Sequence, residues 1–208
     1  MRRAFAVVVA VAVLPFVGCD DAADTEDRSS ALDTGLPPAE VDVATPELVA
    51  LKEEVGMADC RPGPGGGALP PVTLPCLGGG TPVDLSSLKG PMVLSFWAAW
   101  CEECKAEMPV LQDFYEKHGN RVALLGVDFT DRYPGSALEL AQETGATYPS
   151  VADPLGDLRE TDEFARVVGL PYVALLDENG EIAHAEFGVV ESLDEIEGLV
   201  EEHLGVTL

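Results

Sequence analysis

Two cysteines three residues apart, Cys101 and Cys104, stand where an apolar run, Met92 to Ala98, gives way to a segment of helical period, Glu102 to His118. The run is near-continuous, with β-branched and aromatic members, and reads as a strand buried on both faces. Beyond the cysteines, Met108, Leu111, Phe114 and Tyr115 recur at helical spacing until Gly119 stops them. Arg121 to Phe129 reads as a second buried strand. Strand, helix and strand in that order require a right-handed parallel crossover. Cys101 then faces the first-turn amides and Cys104 lies on the same helix face, which permits a disulfide. The positive end of the helix favours a thiolate at Cys101, the species that attacks another disulfide. Cys104 would resolve the mixed disulfide.

The flanking sequence extends this into an α/β fold with a mixed central sheet, helices against it and a β-hairpin at its start. Val72 to Cys76 and Pro82 to Leu85 flank Gly78-Gly79-Gly80 as that hairpin. Pro134 to Thr144 is predicted helical by composition, and Thr161 to Val168 is predicted as a further helix after the turn at Asp153 to Gly156. Tyr172 to Asp177 and Glu181 to Phe187 are strands joined through Asn179-Gly180. Ser192 to Leu204 closes the chain with Leu193, Ile196, Leu199 and Val200 on one helix face.

A bare C-x-x-C admits other uses. A c-type haem site would need histidine where Lys105 stands. Zinc would need two further ligands, and Cys60 and Cys76 do not form a second C-x-x-C. No metal is expected. A purely structural bridge remains open, although a three-residue step has little loop entropy to remove. His118, His184 and His203 are read as structural.

The N-terminus reads as an address. Arg2 and Arg3 precede an apolar run from Ala4 to Gly18, whose length suits a secretory signal. As a helix it would rise only ~22 Å, short of a bilayer span. Phe16-Val17-Gly18-Cys19 resembles a bacterial lipobox, with phenylalanine where leucine is commoner, so Cys19 is the expected lipid carrier. Residues 1–18 are read as signal peptide and 19–59 as a lipidated acidic tether. Twelve acids lie between Asp20 and Asp59 against Arg28 and Lys52, although Pro46 to Val55 has the makings of a short helix. Such a tether would hold residues 60–208 at ~35 Å from an anchor. The formal charge of −25 argues against nucleic acid as a partner.

The stretch Ser95-Phe96-Trp97-Ala98-Ala99-Trp100-Cys101-Glu102-Glu103-Cys104-Lys105-Ala106-Glu107-Met108-Pro109 resembles the active-site strand and helix of the thioredoxin superfamily, in its extracytoplasmic TlpA and ResA-like branch. Gly169-Leu170-Pro171-Tyr172 is similar to the loop carrying that family's cis-proline. The resemblance implies Cys101 and Cys104 as the redox pair, with no cofactor beyond their disulfide. It places Pro171 beside them and substrate backbone pairing near Leu170. Trp100, Glu102 and Glu103 would meet substrate, and Glu107 would be the buried carboxylate that tunes the cysteines, since Ser95 stands where cytoplasmic thioredoxins keep an aspartate. Thr130 to Gly156 looks like the insert that marks this branch.

Glu103 departs from the family, which usually has proline there. Two glutamates beside a thiolate raise its pKa and make the disulfide relatively more stable, so a reductant is expected. With Cys19 lipidated and Cys101 paired with Cys104, Cys60 and Cys76 are left for one another. A structural disulfide, two free thiols and a second redox pair are all compatible with that. The leading functional expectation is a lipoprotein thiol-disulfide oxidoreductase attached to the bacterial cell membrane. Its substrates would be exported disulfide-containing proteins, apocytochrome c among the candidates, and its electrons would come from a membrane donor. A thiol peroxidase and a redox-inactive binding lipoprotein are the alternatives. The peroxidase arrangement P-x-x-x-T-x-x-C does not occur before Cys101.

Overall fold

The computed structural model describes residues 41–208. The segment expected as signal peptide, Cys19 and the first part of the acidic segment lie outside the described residues. The elements run α1 (Pro46–Val55), β1 (Thr73–Leu74), β2 (Val83–Asp84), β3 (Met92–Trp97), α2 (Glu102–His118), β4 (Ala123–Phe129), α3 (Pro134–Thr144), β5 (Ser150–Asp153), β6 (Tyr172–Leu176), β7 (Ile182–Phe187) and α4 (Leu193–Leu204). Five strands form one sheet in the order β5-β4-β3-β6-β7, and β1 with β2 makes the small opening hairpin. β3 pairs parallel with β4 and antiparallel with β6, so it is central and mixed, and its near-continuous apolar run suits a strand buried on both faces.

Alternation along the strands divides the core in two. Val93, Trp97, Leu124, Ala152, Val173 and Leu175 face the helices, where Met108, Leu111, Phe114, Leu138, Ile196 and Val200 meet them. Leu94, Phe96, Val127, Phe129 and Val151 face the other way, toward Leu85, Leu88, Leu158 and Phe164. Phe96 is the hub of that second core, with Phe129, Phe164 and Tyr172 rings 5.2–5.5 Å from its own. Such ring pairs add to simple area burial. Gly126 on β4 is a close-approach position, where a Cβ would overlap Ser150 Oγ and crowd the Trp97 indole.

Two expectations change. Thr161 to Val168 is not helical: a short 3-10 turn at Asp157–Glu160 is followed by turns. Phe164 and Val167 are buried there, joined by a Val167 N–H to Phe164 carbonyl bond of 2.9 Å, so a single tight turn satisfies the apolar spacing. The Val167-Val168-Gly169 sequence before the Leu170-Pro171 turn offers no propensity to extend it.

The acidic stretch expected as tether is, over residues 41–59, packed on the domain. Thr45 caps α1 by accepting the Leu48 N–H at 3.4 Å, Pro46 occupies the first turn, and Gly56 closes it at φ 74°. Leu48, Leu51 and Val55 pack against the helix-side core, Val43 and Met57 are buried beside them, and Glu47, Glu53 and Glu54 stay in solvent. The average charge conceals this stripe.

Candidate functional site

β3 ends at Trp97, and the backbone turns through Ala98 to Trp100 before α2 begins. Cys101 is the N-cap of α2, and its sulfur accepts the Cys104 N–H at 3.1 Å. The two cysteines are disulfide-bonded with Cα atoms 5.3 Å apart. Cys101 is 4% exposed and Cys104 fully buried, so Cys101 is the sulfur nearer to solvent. Glu102 and Glu103 fill the first turn and are exposed. Lys105 turns away from them to Glu143 on α3, at 2.6 Å.

Glu107, one turn further along α2, is fully buried. Its Oε2 accepts from Ser95 Oγ at 3.4 Å and its Oε1 from the Val190 N–H at 3.1 Å, so one carboxyl joins β3, α2 and the loop before α4. Burial pushes its pKa up to about 7, against the lowering effect of those two hydrogen bonds, and Glu195 and Glu186 add to the rise.

The Leu170–Pro171 peptide is cis. Phe96 lies opposite Tyr172 across β3 and β6, so Pro171 emerges at the end of the sheet where β3 hands over to the cysteine loop. Pro171 is buried, its carbonyl accepts the Gly188 N–H at 3.3 Å, and Leu170 packs half-buried against the helix-side core that holds both cysteines.

Of three aspartates at the ends of β4 and β5, Asp128 and Asp131 did not stand out in the sequence, whereas Asp153 opens the turn expected there. Asp131, buried, accepts the Ala99 N–H at 2.7 Å and the Tyr133 N–H at 2.9 Å. Beside it the Trp100 indole donates to the Thr130 carbonyl at 3.3 Å, and Thr130 has a φ of 54°. Ala99, Trp100, Asp131, Tyr133 and Ser136 line a cleft of about 230 Å³ against the loop that leads to Cys101. Asp128, in register with Trp97, is fully buried with neither oxygen hydrogen-bonded, and burial raises its pKa well above the ordinary range, with Asp131 and Asp153 adding to the rise. Its signal was present in the sequence as an acid inside the apolar Ala123–Phe129 strand. Asp153 accepts the Gly156, Asp157 and Leu158 N–H groups and so closes the turn after β5.

Cys60 and Cys76 form the second disulfide, with Cα atoms 5.8 Å apart. His118 bridges Glu197 and Arg121, and His184 stacks on His203 with ring centres 3.9 Å apart. Among the described residues no cluster of three histidines, cysteines or acids is placed to hold a metal ion, and no helix is long and apolar enough to cross a membrane.

A mixed five-stranded sheet with a disulfide at the start of the helix after its central strand, and a cis-proline at the same sheet end, defines a thioredoxin-like protein. The sequence profile of the AhpC/TSA family matches residues 66–199, and the chain belongs to that family. It is 31% identical over 124 residues to the thiol-disulfide oxidoreductase ResA of Oceanobacillus iheyensis, a match covering 58% of this chain and 61% of the relative. It is 31% identical over 99 residues to the sporulation thiol-disulfide oxidoreductase A of Bacillus subtilis, covering 46% of this chain and 58% of the relative. The chain thus spans about three fifths of the length of these curated relatives. Among solved structures, the thioredoxin domain of a thiol-disulfide oxidoreductase from Bacteroides vulgatus superposes with a TM-score of 0.54 at 26% identity, over 65% of this chain and 97% of that one.

Proposed function

We propose that this chain is a thiol-disulfide oxidoreductase whose reactive centre is Cys101 and Cys104. The observation that carries the reading is the Cys101 sulfur at the α2 N-terminus, bonded to a buried Cys104 one turn from the buried Glu107 carboxyl. In the reductive direction the Cys101 thiolate attacks a substrate disulfide, giving a mixed disulfide and a substrate thiolate. Cys104 then loses its proton to Glu107 and attacks the Cys101 sulfur. The substrate leaves as a dithiol and the Cys101–Cys104 bond re-forms. Pro171 and Leu170 frame the edge on which substrate backbone lies, with Trp100, Glu102 and Glu103 facing it. Glu102 and Glu103 disfavour the thiolate, so the pair runs as a reductant, fed by a membrane electron donor.

The same proposal places the protein outside the cytoplasm, lipid-anchored through Cys19, with exported disulfide-containing proteins as substrates and apocytochrome c among them. The Cys60–Cys76 bond closes a loop whose entropy is worth ~3 kcal/mol. A thiol peroxidase reading finds no support in the residues before Cys101, where Ala98 occupies the threonine position of the peroxidase arrangement. The test is a Cys104→Ser chain incubated with exported proteins. Substrate captured on Cys101 as a mixed disulfide is expected. No capture, together with no insulin reduction by the unmutated chain, would leave a binding protein with a structural staple.

A further inference from the structure

The second disulfide lies in surroundings that a mere staple does not need. Lys52 on α1 is only 5% exposed, a burial lysines rarely reach without partners. Its Nζ lies 2.7 Å from the Gly79 carbonyl oxygen, 3.0 Å from Asp59 Oδ1 and 3.5 Å from Cys76 Sγ. The Cys60 backbone N–H donates to the same Cys76 sulfur at 3.3 Å. Cys76 Sγ therefore faces two donors, one of them a full positive charge. Cys60 Sγ lies instead 3.2 Å from the Ser150 carbonyl oxygen. The two sulfurs of one bond sit in opposite electrostatic surroundings.

We propose that Cys60–Cys76 is a second redox couple, in which Cys76 is held as a thiolate by Lys52 once the bond opens. The inference does not depend on the reading of Cys101 and Cys104. The co-reactant is a dithiol. One of its thiolates attacks Cys60 Sγ, the Cys60–Cys76 bond breaks, and the electron pair leaves on Cys76 Sγ beside the ammonium. The second thiol of the reductant, losing its proton, then displaces Cys60, which takes up a proton and donates its S–H to the Ser150 carbonyl. The reductant departs as a disulfide, and two electrons have passed to the protein.

Asp59 opposes this by neutralising the same ammonium, but its side chain is 83% exposed, whereas Lys52 and Cys76 are buried. Water screens the Asp59 interaction far more than the one with sulfur. Glu53, the other acid on that groove, is exposed, and from β5 the uncharged Ser150 and Val151 meet the cysteines. A groove of about 580 Å³ bounded by Lys52, Asp59 and Gly78 to Gly80 lies beside Lys52, while both cysteines are buried, Cys60 at 3% and Cys76 at 1% exposure. Attack on Cys60 Sγ therefore needs a local opening of this edge of the fold, short of unfolding.

The test uses the full chain with Cys19, Cys101 and Cys104 replaced by serine. Against graded dithiothreitol the folded protein, its circular dichroism retained, should expose two alkylatable thiols. After reduction Cys76 should alkylate at pH 7 about tenfold faster than Cys60 and titrate below the ~8.5 of an ordinary thiol. Lys52→Met keeps the apolar stem and removes the charge. It should shift the thiol–disulfide equilibrium about tenfold toward the disulfide, about 30 mV for a two-electron couple. Opening that occurs only on unfolding, a Cys76 titration at or above ~8.5, or an unchanged equilibrium in Lys52→Met overturns the proposal. Should Lys52→Met fail to fold, the titration in the Lys52 chain decides it alone.

Discussion

At Glu107 burial and hydrogen bonding pull one carboxyl in opposite directions, and burial prevails, leaving a pKa of about 7. An unfolded glutamate titrates near 4.3, so between those values the folded chain binds the extra proton. Glu107 therefore adds stability below about pH 4.3, and that contribution is lost as pH rises through 7. Glu107→Gln keeps an acceptor for Val190 and removes the ionisation. Urea midpoints at pH 5 and pH 8 should show the variant losing less stability between them, by roughly 3 kcal/mol. The same substitution should flatten the pH profile of disulfide reduction near neutrality. Exchanging Glu102 and Glu103 together for glutamine should raise the reduction potential of the Cys101–Cys104 pair, read by alkylation in graded thiol buffers. An unchanged potential would refute the reductant argument. Asp128→Asn removes a buried acid that has no hydrogen-bond partner, and should leave stability at pH 8 unchanged or higher by thermal unfolding.

Among the elements, those whose burial pattern repeats at one period were legible in the chain. β3, α2, β4, α3, the β6–β7 hairpin and α4 fall where their apolar residues and turn signals put them. Thr161 to Val168 was misread because two apolar residues three apart fit a tight turn as well as a helix. The packing of 41–59 was hidden for a different reason: Leu48, Leu51 and Val55 are outnumbered by acids pointing to water. At the candidate site, the Cys101–Cys104 bond, the burial of Glu107 and the cis Leu170–Pro171 peptide were readable from local spacing and family likeness, as geometry and not as roles. The Val190 contact to Glu107 and the Asp131 contact to Ala99 were not, since each joins residues far apart in the chain. Met57→Ala should test the docking of the segment that follows α1. Met57 is 6% exposed in the helix-side core, so its truncation should cost roughly 2 kcal/mol in urea unfolding. A loss near zero would mean that 41–59 adds no stability.

For the molecule as a whole, 37 acidic residues against 12 basic ones make a field that selects among encounter partners before any groove is reached. Initial rates of reduction should fall as salt rises from 50 to 200 mM for a basic disulfide substrate and rise for an acidic one, in stopped-flow measurements at fixed pH. Equal salt slopes would show that the field plays no part. The hold of Asp131 on Ala99 and of Thr130 on Trp100 has a consequence for engineering. The Trp100–Lys105 hexapeptide is not a portable cassette. Transplanted onto another sheet of this shape, it would bring its charges but leave behind the β4–α3 loop that sets the pitch at which α2 begins. A designer wanting its chemistry would have to move residues 128–133 with it, as one two-part graft.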